Sequence, residues 1–234
     1  MVLNPSYRNV LLKAALIMLL SWSNTLKAQV NDMGVWTNIY LEKKVYAGLH
    51  AHFNQETRFN NNVSQFSFAY GDIGLTYKIT SFLSTTLDYV LVEKYHIEKA
   101  RSDYYSTRHQ FYYNIVFRAK ANDFKFMLRE QVDSQVSDFY SSDKGFIPEY
   151  HWRHKFTVKY ELTQRFTPYV ADEVYYQLGN PEGNEIDRNR TFFGTFYKLS
   201  KHSELELYYL LQLDFHQSPD QRLYVIGLGY AHEF

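Results

Sequence analysis

His50 and His52 stand two residues apart, with Glu56 four positions further on. In an extended chain these three share one face, and imidazole nitrogen with carboxylate oxygen is a donor set for a zinc-type ion. A further ligand would have to come from a neighbouring segment, so the spacing alone assigns no metal and no cofactor. Two histidines in a polar network read equally well. Ser106, Thr107 and His109 offer a hydroxyl and a base. In a regular strand, however, Ser106 faces away from His109, and a base must lie within hydrogen-bond reach of its nucleophile. Asp138, Asp143, Asp187, Asp220 and His216 are acid and imidazole candidates in connecting segments. There is no Gly-rich phosphate loop, GxSxG elbow or HExxH run. No catalytic residue is assigned, and a surface hydrolase acting on lipid or peptide stands as the alternative function.

The elements that hold these residues alternate with period two from about residue 34 onward. Over 204–215 one face carries Leu205, Leu207, Tyr209, Leu211, Leu213 and Phe215. The other carries Glu204, Glu206, Tyr208, Leu210, Gln212 and Asp214. The pattern predicts long strands near 45–59, 64–78, 82–96, 105–118, 124–136, 150–161, 166–178, 188–198, 203–216 and 221–234. Connections alternate between a short class (79–81, 119–123, 162–165, 199–202) and a class that includes the long ones (60–63, 97–104, 137–149, 179–187, 217–220). That asymmetry is the pattern of a transmembrane antiparallel up-and-down β-barrel. The strands exceed the 9–11 residues or so that cross a bilayer at a tilt. Aromatics collect at their ends, with Tyr77, Phe117, Phe124, Tyr160 and Tyr197 by the short turns and Tyr95, Tyr105, Tyr150 and Trp152 by the long loops, as interfacial girdles do.

The polar faces then point into a lumen. They carry His50, His52, Glu56, Arg108, Arg118, Arg129, Asp133, Arg153, Lys155, Glu173 and Arg190. Acids and bases interleave, and buried charges need partners, so a narrow lumen filled by paired polar side chains is expected. The role that follows is structural, binding or narrow transport.

Composition agrees. The chain has 234 residues, 18% aromatic, with 22 Tyr and 18 Phe, no cysteine and no formal net charge. No cysteine excludes disulfides and thiolate chemistry, and the flat charge balance gives nucleic acid no foothold. A mean hydropathy of −0.43 and the lack of an 18-residue apolar run exclude an ordinary helical membrane protein. Residues 1–28 read as a signal peptide: Arg8, an apolar core over 14–20, and a polar exit ending at Ala28. Cleavage there makes Gln29 the first mature residue and removes three of the 25 bases and none of the 25 acids.

Val35–Leu41 also alternates and is followed by Glu42-Lys43-Lys44, which reads as a tight turn. Counting it gives eleven strands, against the even numbers of single-chain bacterial barrels. Residues 29–44 are therefore expected to be an accessory strand and turn beside a ten-stranded barrel over 45–234. Twelve strands is the alternative count. The final strand places Tyr224, Ile226, Leu228, Tyr230, His232 and Phe234 on one face. A terminal Phe on such a strand resembles the insertion signal read by the barrel-assembly machinery. Outer-membrane lipid and that machinery are the expected partners, and any small-molecule ligand is left open.

Trp36-Thr37, Gly74-Leu75-Thr76-Tyr77, Arg108-His109-Gln110-Phe111-Tyr112, Arg153-His154-Lys155 and Asn189-Arg190 together resemble the domain-of-unknown-function family DUF2490, outer-membrane barrels of Gram-negative bacteria. The resemblance covers roughly residues 34–234. It implies the barrel and a cell outer-membrane location, and it implies no activity.

Overall fold

Alternation makes each strand two-faced, and a sheet of such strands must hide one face from the other. Here it does so by closing on itself. The structure, a computed structural model, describes residues 30–96, 104–136, 149–180, 183–215 and 221–234. The leader over 1–28, and Asp138, Asp143, His216 and Asp220, lie outside the described residues. Eleven strands follow in chain order: β1 (Val30–Tyr46), β2 (Leu49–Asn60), β3 (Gln65–Lys78), β4 (Leu83–His96), β5 (Tyr104–Ala121), β6 (Phe124–Val136), β7 (Glu149–Tyr160), β8 (Phe166–Leu178), β9 (Glu185–Lys198), β10 (Ser203–Asp214) and β11 (Gln221–Glu233). Strands consecutive in the chain pair antiparallel, and β1 closes the barrel against β11. Among the described residues there is no helix.

The seam corrects the strand count. Residues 30–46 are neither a lumenal nor a rim accessory; β1 is a full wall strand. It pairs antiparallel with β2 and parallel with β11, in unbroken register from Val30↔Gln221 to Glu42↔Glu233. An odd count closes only if the first and last strands run the same way, so the seam is parallel. Evenly spaced, slanted bonds satisfy its backbone at a small loss per residue. Neither ten nor twelve strands describes the wall. Glu42, Lys43 and Lys44 are strand residues, because the turn falls at Ala47-Gly48. Tyr46 is 75% exposed and, with Gly48, sits at that turn instead of facing the lumen.

The outward face is apolar. Ile39, Phe53, Ile73, Leu87, Phe111, Phe156, Phe193, Leu207, Ile226 and Leu228 are all exposed. Exposed aromatics stand at both ends, with Tyr77, Phe117, Phe124, Tyr160 and Tyr197 by the short turns and Tyr105 and Trp152 at the opposite end. Polar groups that do point outward meet one another. Glu130 accepts a hydrogen bond from Trp152 Nε1 at 2.7 Å and lies 2.6 Å from His154 Nδ1. Asp172 accepts from Asn189 Nδ2 at 3.0 Å and Thr191 Oγ1 at 2.9 Å. At the short-turn end, Lys120 and Lys125 both reach Glu161 and hold its carboxyl down at about 2.

The inward face has two halves. Trp36 of β1 joins Tyr169 and Ala171 of β8, Phe192 of β9, Tyr208 and Leu210 of β10, and Leu223 and Val225 of β11 in one buried apolar cluster. Tyr208 lies flat across the wall because Gly227 is its register partner. A Cβ on Gly227 would come within 1.9 Å of the Tyr208 ring.

Gly227→Ala is therefore expected to destabilise the barrel by about 1–3 kcal/mol, the usual range for overpacking. In a Tyr208→Ala background the same change should cost much less. The cycle is read from urea unfolding in detergent micelles, and equal costs in the two backgrounds would disprove the ring-over-glycine contact.

Candidate functional site

The other half of the lumen is hollow. A single cavity of about 1160 Å³ runs from Lys78, Thr80 and Ser81 at the short-turn end to Asn60, Lys94 and Gln177 near the opposite end. Side chains just fill the interior of about eight strands, and a wide channel needs about sixteen. Eleven strands fall between, and here the surplus space is concentrated on one side. The expectation of a lumen filled throughout by paired polar groups is thus corrected: an apolar cluster plugs one half, and charged walls surround a cavity in the other.

Register explains how the charged wall is built. Arg129, Lys155, Glu173, Arg190 and Gln212 occupy one row across β6–β10. Glu173 is 1% exposed, and its Oε1 accepts from Arg129 Nη2 at 2.5 Å and from Arg153 Nη2 at 2.7 Å and Nε at 3.0 Å. Arg190 donates to the Tyr175 hydroxyl and, at 2.8 Å, to Gln212 Oε1. Gln212 donates in turn to Asp214, which also accepts from Arg188 Nε at 2.5 Å. The Lys155 ammonium lies 3.8 Å above the Phe192 ring, where the ring face helps offset its lost hydration. One carboxylate therefore holds two guanidiniums, with further cations beside it.

The remaining expected residues distribute around this row. Asp133 lies 3.2 Å from His151 Nδ1 and 3.7 Å from Arg153 Nη1, and His151 Nε2 reaches Asp187 at 3.3 Å. Glu56 bonds Arg58, whose guanidinium stacks 3.8 Å above Trp36. Arg118 donates to Ser84 Oγ at 2.7 Å, and Arg108 lines the cavity. His50 turns to Glu42 Oε1 at 2.7 Å, with Lys78 beside it.

His50, His52 and Glu56 do not converge, which corrects the grouping drawn from spacing. His52 instead meets Asp88 Oδ1 at 3.0 Å and Asp72 Oδ1 at 3.7 Å. Spacing along one strand could not reveal these partners, since they stand on β3 and β4. Glycine at position 74, between them in register, was the available signal. Trp36 was missed because its strand was taken as accessory. Where the sequence offers a hydroxyl beside an imidazole, the Tyr89 hydroxyl meets His109 Nδ1 at 2.7 Å, and Thr107 donates to Glu93 at 2.6 Å.

The lining carries nine Lys or Arg side chains, namely Arg58, Lys78, Lys94, Arg108, Arg118, Arg129, Arg153, Arg188 and Arg190. Against them stand five acids: Glu42, Asp72, Asp88, Asp133 and Asp187. Glu56, Glu173 and Asp214 pair from behind with Arg58, with Arg129 and Arg153, and with Arg188, so the surplus of bases is small and rests on Arg108, Arg118 and Arg190, with an acidic corner on β3 and β4.

The family model for DUF2490, described as a protein of unknown function, matches residues 33–222. No protein of curated function matches the chain. Among solved structures, the chain is similar to the NanC porin, at 11% identity and a TM-score of 0.42 over 76% of this chain and 86% of that one. It is also similar to the β domain of the Bordetella autotransporter BrkA, at 10% identity and a TM-score of 0.45 over 82% and 86%. A third is the translocator domain of the autotransporter NalP from Neisseria meningitidis, at 10% identity and a TM-score of 0.41 over 72% and 70%.

Glu173→Ala leaves Arg129 and Arg153 without their shared carboxylate. Breaking a buried pair from one side costs about 3–5 kcal/mol, so this variant should unfold at clearly lower urea than Lys43→Ala, which removes an exposed charge. Equal midpoints would mean that the arginines are solvated and the row has no structural role.

Proposed function

The chain belongs to the DUF2490 family of proteins of unknown function, and from that premise we propose that it is a Gram-negative outer-membrane barrel offering a narrow passage and binding chamber for small anionic solutes. The outward apolar face supports the membrane setting, because only lipid or detergent accommodates so many exposed apolar side chains around a whole wall. Strands of 12–18 residues are long enough to cross, and the aromatics at both ends suit the two interfaces. The leader over 1–28 read from the sequence supports export, with the short turns facing the periplasm. Phe234, 67% exposed at the end of the closing strand, is the residue we assign to recognition by the assembly machinery.

The passage rests on one observation: a cavity lined from one end of the wall to the other, with a small excess of bases carried by Arg108, Arg118 and Arg190. Low-dielectric walls focus that excess and raise the local concentration of anions. The apolar cluster around Trp36 narrows the lumen, so flow would be small and selective instead of porin-like.

Two experiments test this. Protein isolated from the producing cell should begin at Gln29 and fractionate with outer membranes, and deleting Phe234 should sharply lower the heat-modifiable, inserted fraction. A soluble protein retaining Met1 would end the membrane reading. In planar bilayers under a potassium chloride gradient, the purified chain should show small currents with a reversal potential favouring chloride, and Arg108→Glu should reduce that preference. Silence, or cation preference, would overturn the passage while leaving the barrel intact.

A further inference from the structure

We propose that His52, Asp72 and Asp88 form a binding site for one divalent zinc-type cation in the lumen wall. The site stands on side chains of the described residues alone and does not depend on which membrane holds the barrel or on what passes through it. The three residues come from three successive strands. His52 of β2, Gly74 of β3 and Asp88 of β4 share one register row, and Asp72 stands two residues from Gly74 on the same face. Their donor atoms lie within 4.8 Å of one another. Ligands about 2.1 Å from a tetrahedral zinc lie about 3.4 Å apart. The imidazole Nε2 is 3.0 Å from Asp88 Oδ1 and 3.7 Å from Asp72 Oδ1, separations that bracket that value.

Three independent features point to a ligand. First, Asp88 is 5% and Asp72 8% exposed, and the group that meets both Oδ1 atoms is the His52 imidazole, so two buried carboxylates share one nitrogen. One imidazole cannot satisfy two buried carboxylates fully, and a cation bound by all three would offset what is left. Second, the two ligands can meet across β3 only because position 74 carries no side chain: a Cβ on Gly74 would fall 2.0 Å from Asp88 Oδ1 and 2.6 Å from His52 Nε2. Third, the ligands are oriented from behind. Asn114 Nδ2 donates to Asp88 Oδ2 at 2.7 Å, leaving Oδ1 for the ion, and Tyr40 stacks on the His52 ring at 5.4 Å. Such outer partners are what set ligand orientation in metal sites. The corner opens on the cavity, so an ion and its remaining water ligands have an entry path. One imidazole and two carboxylates suit zinc, with cobalt as its spectroscopic substitute.

The test uses the full mature chain, folded in detergent without a histidine tag, stripped with a chelator and then loaded with zinc or cobalt. One zinc per chain should survive desalting, and cobalt should give the visible bands of a four-coordinate site. Asp88→Asn and Asp72→Asn, which keep side-chain size, should each weaken zinc at least tenfold while heat-modifiable mobility shows a folded barrel. Gly74→Ala should do the same by pushing Asp88 and His52 apart; if it does not fold, the two Asn variants decide. Glu42→Gln, in the neighbouring group with His50 and Glu233, should leave binding unchanged. Wild-type protein that retains no zinc, Asn variants that bind as wild type, or loss of binding on Glu42→Gln alone would each overturn the site.

Discussion

Closure of the sheet by a parallel seam is the constraint on which the rest of this molecule depends. With β1 paired to β11 over thirteen register positions, no strand edge is left open, and every wall residue has a fixed face and height. The seam also carries Trp36 into the lumen, where it anchors the apolar cluster and stacks under Arg58 and near Arg190. Without β1 in the wall, Arg58 would keep only the Phe68 and Tyr70 faces, and β11 would have one backbone partner instead of two. The cost of a parallel pair is small, because regular hydrogen bonds still satisfy all the backbone groups.

From that closure follows an interior with a division of labour. Large aromatics laid across β8–β11 fill one side, made possible where a glycine faces the ring. Arg129 of β6 and Arg153 of β7 converge on Glu173 of β8, which receives three hydrogen bonds on one oxygen. A buried carboxylate so engaged fixes the positions of Arg129 and Arg153 as surely as packing fixes a leucine. The guanidiniums not consumed by this row face the cavity and make it basic. The acidic corner at Asp72 and Asp88 stands on β3 and β4 and is met by His52.

The wall also shows how polar groups persist on an apolar outer surface. Glu130 with Trp152 and His154, and Asp172 with Asn189 and Thr191, satisfy each other in place. Outward polar groups thus pair with one another as the lumenal ones do, since an unpaired polar group among apolar side chains is costly.

The period-two pattern by itself determined the fold class, nearly all strand boundaries, and the inward or outward face of the wall residues from Leu49 on, because a strand's side chains alternate whatever its neighbours are. It likewise put His50, His52, Glu56, Arg129, Arg153, Glu173 and Arg190 on the inner face. What it could not decide was closure: the alternation of Val35–Leu41 was legible, but whether that strand completes the wall depends on pairing with residues nearly two hundred positions away. Nor could it choose partners across strands. His52 shares a face with His50, yet its contacts are Asp72 and Asp88, set by the register of three strands and by the missing side chain at Gly74. The hollow half of the lumen was hidden for the same reason, since a cavity is a property of how many strands close and which side chains meet across the gap, and only the tertiary structure sets both.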